Sequence, residues 1–414
     1  MDSLVTELRE KVLSKIDLSK ETTDDELEEL IAQEVSSIAL KRQLTIAERV
    51  NLEQLVFNSL RKLDVISELM EDEAVTEIMV NGPRKIFYEK EGQIFRWDKA
   101  FVSEERVLDI LQQIVANHNR VINLSSPIVD TRLADGSRVN AVLSPISVDQ
   151  TVITIRKFPK EPFTMNQLIH MKSISEEAAD LLEILVKARY SIVVSGGTGS
   201  GKTTFLNALS AFIPKDERII TIEDSAELQI QGIENLVRLE TRNANMEGVK
   251  EITIRDLIRT ALRMRPDRII VGECRGGEAF DMLGAFTTGH DGSFTSLHAN
   301  SGKDAISRLE TMVLMGIELP LPAIQRQIAS GVDIIVHLGR IRDKSRRVLE
   351  ITEICGMENG QIRWNPLYRF EEYEEKDGNV IGELKKVGCL KNEQKIWDAG
   401  IRWDKGAVAG LQTI

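Results

Sequence analysis

The stretch Tyr190-Ser191-Ile192-Val193-Val194-Ser195-Gly196-Gly197-Thr198-Gly199-Ser200-Gly201-Lys202-Thr203-Thr204 decides how this chain is read. Gly196 to Thr203 satisfies the phosphate-loop pattern G-x-x-x-x-G-K-[ST]. The flanks agree with it. Tyr190 to Val194 reads as a buried parallel strand, and Thr204 to Phe212 reads as a helix. Glycines let the backbone fold around an anion and turn its amide hydrogens inward. The start of the helix adds partial positive charge at the same place. Gly196, Gly197, Thr198, Gly199, Ser200, Gly201, Lys202, Thr203 and Thr204 are therefore expected to cradle ATP. Lys202 would reach the β- and γ-phosphates, and the Thr203 hydroxyl would hold Mg²⁺.

Three further stretches fall into place around that loop. Arg265-Pro266-Asp267-Arg268-Ile269-Ile270-Val271-Gly272-Glu273 is an apolar run ending in an acid, the form of a Walker B strand. Gly272 stands where an aspartate is common, so Glu273 is expected to act near Mg²⁺ through its water shell. Arg218-Ile219-Ile220-Thr221-Ile222-Glu223-Asp224 is a second such strand. A carboxylate at the C-terminal end of a parallel strand faces the crevice where α/β sheets bind ligands. Glu223 is the candidate base that orients an attacking water; the plainer alternative is that Glu223 and Asp224 form a helix-capping acidic pair. Gly289-His290-Asp291-Gly292 leads into Ser293 to Leu297, a strand that delivers His298 where a γ-phosphate could be sensed. His118, His170 and His337 read as structural. No zinc site is expected, because His290 and His298 have no cysteine nearby.

Arginines are the remaining signal. Arg132, Arg138 and Arg156 lie on or beside strands well before the phosphate loop. Arg238, Arg242, Arg255, Arg259, Arg263 and Arg265 crowd between the two acidic strands. A guanidinium forks onto phosphate oxygens and stabilises charge in phosphoryl transfer.

The chain has 414 residues, a net charge of −12 and only 5% aromatic residues. That balance gives little for tracking or stacking on nucleic acid. Apolar runs fall far short of the roughly 18 residues that span a bilayer, and neither membrane insertion nor a secretory signal is expected. Cys274, Cys355 and Cys389 are widely spaced and read as ordinary thiols in a reducing cytoplasm. Residues 1–70 read as helical, with apolar positions such as Leu4, Leu8 and Val12 on one face. Residues 71–158 read as a small α/β domain with short strands, and 159–164, carrying Pro159 and Pro162, as an extended linker. Residues 165–414 alternate strand and helix, the pattern of a parallel sheet with helices on its faces. Glu371-Glu372-Tyr373-Glu374-Glu375 reads as a solvated surface segment.

Taken in order, the phosphate loop, Thr221-Ile222-Glu223-Asp224, Gly272-Glu273 and Gly289 to Asn300 resemble the type II/type IV secretion ATPase superfamily. Within it the chain is most similar to the Tad (Flp, tight-adherence) pilus assembly ATPases of the CpaF type. That finer resemblance rests on Glu77-Ile78-Met79-Val80-Asn81-Gly82, Asp130 to Ala141, Thr154 to Phe158, Arg238 to Arg242, Asp256 to Met264 and Gly272 to Ala279. The resemblance implies a RecA-like P-loop motor domain with a C-terminal subdomain, preceded by a mobile α/β N-terminal domain. It implies a homo-hexameric ring that hydrolyses ATP at the cytoplasmic face of the membrane, against an inner-membrane pilus platform protein. It also implies roles: phosphate and Mg²⁺ for Lys202 and Thr203, water for Glu223, Mg²⁺ for Glu273, phosphate for His298, and nucleotide contact from Arg132, Arg138 and Arg156. The chain lacks the tetracysteine zinc module of many extension motors. It also lacks the signature helix of dedicated retraction motors, having Ala323-Ile324-Gln325-Arg326-Gln327-Ile328-Ala329-Ser330 there. Extension and retraction both stay open. So do two other readings: a RecA-like nucleic-acid motor, and a nucleotide-gated scaffold with little turnover.

Overall fold

The structure is a computed structural model that describes residues 2–16, 23–116, 122–159, 161–242 and 250–402. Asn117 and His118, expected to end a helix and to play a structural role, lie outside the described residues, as does Lys160 of the expected linker. The chain divides into two compact units, Met1–Lys160 and Glu161–Ile414.

The first unit opens with three helices, α1 (Asp2–Lys15), α2 (Asp24–Arg42) and α3 (Ile46–Arg61). Thr23 and Thr45 start α2 and α3 with capping boxes, each hydroxyl accepting from the amide of Glu26 or Glu48 while that glutamate accepts in return. The apolar stripes meet in a small core of their own, built on Leu8, Val12, Leu27, Ile31, Val35, Leu52 and Val56. After the short helix α4 (Ser67–Glu71) come β1 (Val75–Asn81), β2 (Ile86–Lys90), β3 (Gln93–Arg96), helix α5 (Glu104–Ala116), β4 (Ile128–Arg132), β5 (Arg138–Val142) and β6 (Val152–Arg156). The strands form an antiparallel sheet in the order β3-β2-β1-β6-β5-β4. Alternate residues such as Ile78, Val80, Val139, Ala141, Ile153 and Ile155 face Val107, Ile110, Leu111 and Ile114 of α5.

The second unit begins with α6 (Met165–His170) and α7 (Glu176–Lys187). It continues through β7 (Ile192–Gly196), α8 (Lys202–Ser210), β8 (Ile219–Glu223), β9 (Leu236–Glu240), α9 (Ile254–Ala261) and β10 (Arg268–Val271). Then follow α10 (Ala279–Thr287), β11 (Phe294–Leu297), α11 (Gly302–Gly316), α12 (Leu321–Gly331) and β12 (Ile334–Arg340). Last come β13 (Arg346–Glu358), β14 (Gln361–Lys376), β15 (Asn379–Lys386) and α13 (Gln394–Asp398). One sheet holds all these strands, in the order β15-β14-β13-β12-β7-β11-β10-β8-β9. The run from β12 to β9 is parallel. Its inner strands are apolar at almost every position because both faces are covered. Ile192 and Val194 turn to the side of α7 and α8, while Val193 turns to that of α9 to α12. Arg268, fully buried at the base of β10, is held by Glu217 through two hydrogen bonds and by the carbonyls of Val186 and Gly292. A buried charge paired and hydrogen-bonded at each of its three nitrogens is tolerated; removing one partner would not be.

The sheet is not parallel throughout, as the sequence had led us to expect. β13, β14 and β15 add an antiparallel extension beyond β12. Glu371 to Glu375 is solvated, as expected, but it lies inside the 16-residue strand β14. The backbone ladder to β15 holds it there, helped by Lys385 on Glu371 and Tyr373 on Glu383. Leu367 and Tyr368 of this strand lie in the core, but from Glu371 on both faces are exposed and charged, so no period-two apolar pattern marks that half.

Candidate nucleotide site

The parallel strands run in the same direction, so the ends of β7, β11, β10 and β8 come out side by side in that order. The phosphate loop leaves β7, His298 follows β11, Glu273 follows β10 and Glu223 ends β8. Residues far apart in sequence thus meet along one edge of the sheet.

Gly196, Gly199 and Gly201 have φ of 158°, 70° and 93°. The latter two are in the left-handed region that glycine adopts without strain. At Gly196 space is the limit, since a Cβ would lie 2.4 Å from the Leu338 carbonyl oxygen and 2.6 Å from Ser200 Oγ. Lys202 opens α8, with Thr203 and Thr204 in the same first turn. Lys202 Nζ is nearly buried and donates to the carbonyls of Gly196 and Gly197, both at 3.1 Å. It lies 3.4 Å from His298 Nδ1.

His298 spans Lys202 and Glu273. Its Nε2 is 2.8 Å from Glu273 Oε1, off the line of a hydrogen bond, so that Oε1 has no hydrogen-bond partner among the described residues. Burial, and then the charge of Lys202, pull the imidazole below its usual pKa. A neutral ring with its lone pair on Nδ1, toward the Lys202 ammonium, fits that lowered pKa.

Arg275 completes this chain of contacts and escaped the sequence reading as a site residue. Its Nε and Nη2 donate to Glu273 Oε2 at 2.8 and 2.5 Å, and Nη1 is 3.6 Å from Asp224. The only sequence signal was its place two residues beyond the Walker B acid. From Lys202 through His298, Glu273 and Arg275 to Asp224, positive and negative groups alternate.

Glu223 is 3% exposed. Its Oε2 accepts from the amides of Glu227 and Leu228 at 2.7 and 2.8 Å. Oε1 has no partner among the described residues. Burial pushes its pKa up to about 7 against those two amides, which favour the charged form. No helix follows β8, so neither Glu223 nor Asp224 caps one; Oε2 of Glu223 instead holds two loop amides.

His337 and His170 sit as the sequence suggested. His337 Nδ1 meets Ser195 Oγ at 3.0 Å behind the phosphate loop, and burial lowers its pKa. His170 Nδ1 meets the Asn166 carbonyl within α6. His290 precedes β11, at the strand end opposite His298. Among the crowded arginines, Arg255 and Arg259 share Asp281, Arg238 donates to the Leu228 carbonyl and Arg242 to that of Lys250. These contacts brace the fold.

In the first unit, Arg132, Arg138 and Arg156 stand in one row. Arg132 pairs with Arg138 across β4 and β5, and Arg138 with Arg156 across β5 and β6. Directly opposed residues share a sheet face, and like charges so placed are destabilising. Asp130 lies 3.7 Å from Arg138.

The donor set fits a nucleotide with its metal. The glycine loop and Lys202 suit phosphate oxygens, and Oε1 of Glu223 and of Glu273 are buried acceptors without hydrogen bonds. No cluster of three or more histidine, cysteine or acidic side chains among the described residues could hold a metal alone. Mg²⁺ at Thr203 and Glu273 would take its other ligands from phosphate and water, as this ion commonly does. No helix among the described residues is long and apolar enough to cross a membrane.

Residues 59–395 match the family model of the type II/IV secretion system proteins. A putative conjugal transfer protein of Mycobacterium tuberculosis is 35% identical over 69% of this chain and 83% of its own length. The conjugal transfer protein TrbB of Rhizobium radiobacter is 33% identical over 75% of this chain and 93% of its own. The type IV secretion system protein VirB11 of Brucella suis is 33% identical over 67% and 84%. Among solved structures, the pilus retraction motor PilT with bound ADP covers 82% of this chain and 87% of its own, with a TM-score of 0.54 and 20% identity. The Legionella pneumophila ATPase DotB gives a TM-score of 0.52 over 69% and 78%, at 23% identity. These likenesses carry the fold, an N-terminal domain followed by a RecA-like motor domain. The chain belongs to the type II/IV secretion system protein family.

Proposed function

We propose that this protein is an Mg²⁺-dependent ATPase, a homo-hexameric motor at the cytoplasmic face of the membrane that drives assembly of a Tad/Flp-type pilus or a related secretion machine. The observation that carries the catalytic part is the set of side chains gathered beside the phosphate loop: Lys202, His298, Glu273 and Glu223 at neighbouring strand ends. Support for a motor comes from the family and from structural neighbours named as an ATPase and a pilus retraction motor. The Tad branch, the platform-protein partner and the ring rest on the sequence resemblance.

In this reading the amides of Gly197 to Lys202 and the Lys202 ammonium bind the β- and γ-phosphates, Lys202 exchanging two carbonyls for phosphate oxygens. Mg²⁺ supplies charge neutralisation between phosphates when bound. Glu223 Oε1 orients the attacking water and accepts its proton. His298, neutral, contacts the γ-phosphate and keeps Lys202 and Glu273 apart. Arg275 fixes the Glu273 carboxylate. We assign the row Arg132, Arg138 and Arg156 to the nucleotide on the sequence resemblance, since a guanidinium can fork onto phosphate oxygens.

Phosphate release by the purified protein, in wild type and in Glu273→Gln and Lys202→Ala, tests the enzyme. Light scattering on the same sample tests the hexamer. ATP affinity without release in a hexamer favours a gated scaffold. Salt-sensitive binding to single-stranded DNA that stimulates release favours a nucleic-acid motor.

A further inference from the structure

Arg346, the first residue of β13, lies far along the chain from the phosphate loop yet touches it. Its Nε donates to the Gly199 carbonyl at 2.9 Å, and its Cδ would lie 3.5 Å from a Cβ on Gly201. A peptide unit is planar and trans, so its carbonyl and the following N–H point in opposite directions. A Gly199 carbonyl drawn outward to Arg346 therefore aims the Ser200 amide inward. That amide meets the Gly197 carbonyl at 3.4 Å, the same oxygen that Lys202 Nζ reaches at 3.1 Å. With the Ser200 hydroxyl, which donates to it at 2.9 Å, three donors converge on that oxygen. A phosphate oxygen in that place would receive the Ser200 amide and the Lys202 ammonium together.

We infer that Arg346 is a positioning residue of the phosphate loop, setting the Ser200 amide for nucleotide, and that its own position is fixed by the antiparallel extension of the sheet. This rests on the nucleotide reading of the site.

The hairpin carrying Arg346 is held at its tip. Between β12 and β13, Arg342 forks onto Glu372 and also donates to Glu375 Oε2 on β14, while Asp343 accepts from the Val380 amide on β15 at 2.8 Å. Within the turn, Ile341 donates to the Ser345 carbonyl and Lys344 to that of Ile341. Arg346 itself pairs across the strands with Arg340, a like-charge neighbour that gives it no reason to stay. What holds its guanidinium is the loop carbonyl. The line runs from β14 and β15 through the clamped turn to Arg346, and from Arg346 to the Ser200 amide. Residues 340–347, Arg-Ile-Arg-Asp-Lys-Ser-Arg-Arg, are a basic segment in an acidic chain, and this arrangement gives them a purpose.

The test uses the full-length protein and Mg²⁺ with a non-hydrolysable ATP analogue for Kd, and Mg²⁺-ATP for kcat. Arg346→Gln is expected to raise Kd about tenfold, the scale of one charge-assisted hydrogen bond, with kcat at saturation within about twofold. Arg346→Lys keeps the charge and recovers part of the affinity. The double variant Glu372→Gln/Glu375→Gln, which loosens the clamp, is expected to raise Kd in the wild-type background and to add nothing in Arg346→Gln. If wild type binds and Arg346→Gln binds equally well, the inference falls and the nucleotide site stands. A loss confined to kcat overturns it as well. Equal clamp effects in both backgrounds overturn the link to β14. If wild type, shown folded by its thermal melt, does not bind the analogue, the nucleotide reading falls and takes this inference with it.

Discussion

A Cβ on Gly272 would lie 2.8 Å from Cγ of Glu223. The glycine that replaces the usual Walker B aspartate is therefore a steric partner of the candidate base. β10 and β8 are neighbours, and the Gly272 amide donates to the Ile222 carbonyl at 2.9 Å. Nothing larger than hydrogen fits unless Glu223 moves.

Gly272→Ala is thus expected to destabilise the second unit by about 1–3 kcal/mol and to lower kcat by displacing Glu223. In a Glu223→Ala background, where Cγ is gone, the same substitution costs much less. A double-mutant cycle on urea midpoints measures the difference. Additive costs would mean that the two residues do not collide.

Glu223 should also leave a mark on pH dependence. Its pKa is raised from an ordinary 4.5 to about 7, so between those values the folded chain holds a proton that the unfolded chain has released. Stability from this group is complete below about pH 4.5 and is lost as pH rises through about 7. A base must be ionised, so kcat rises over the upper part of the same range. Glu223→Gln keeps an oxygen for the amides of Glu227 and Leu228 and carries no charge. It is expected to be inactive, yet more stable at about pH 8 by roughly 3 kcal/mol, the free-energy equivalent of such a shift. A melting temperature at or below wild type at that pH would contradict the assignment.

Arg275 holds Glu273 with two hydrogen bonds. Arg275→Ala should lower kcat about a hundredfold, the usual scale for a misplaced catalytic group, while KM changes little. Arg275→Lys should recover only part, since an ammonium cannot fork. A change in KM alone would place Arg275 in nucleotide binding instead.

The arginine row predicts a fall in rate with little change in stability. Arg138 stands between Arg132 and Arg156. Arg138→Gln removes a like charge from the row and also the cation beside Asp130, so the first unit's melting temperature should move by no more than the equivalent of about 1 kcal/mol. Hydrolysis should fall at least about tenfold. Full hydrolysis with a lowered melting temperature would make Arg138 a purely structural residue.

Much of the site was legible because phosphate chemistry needs particular residues at fixed spacing. The glycine loop with Lys202 is such a pattern, and so is each apolar strand ending in an acid. His298 was legible from the strand that carries it. Arg275 was not, because an arginine just after a carboxylate looks like any surface ion pair until the fold turns it back on Glu273. Arg346 was not, because only the strand order brings β13 near the loop. The turn of Glu223 onto the loop amides of Glu227 and Leu228 was not legible either, since sequence does not show which way a side chain turns at a strand end. The parallel core followed from apolar runs, while β14 escaped because its outer half is charged on both faces.

Phosphate release from Mg²⁺-ATP, measured alongside analogue binding in wild type, Lys202→Ala and Glu273→Gln, tests the central claim most directly. The expected result is turnover in wild type, lost binding in Lys202→Ala, and retained binding without turnover in Glu273→Gln. Undiminished turnover in both variants would contradict the site described here.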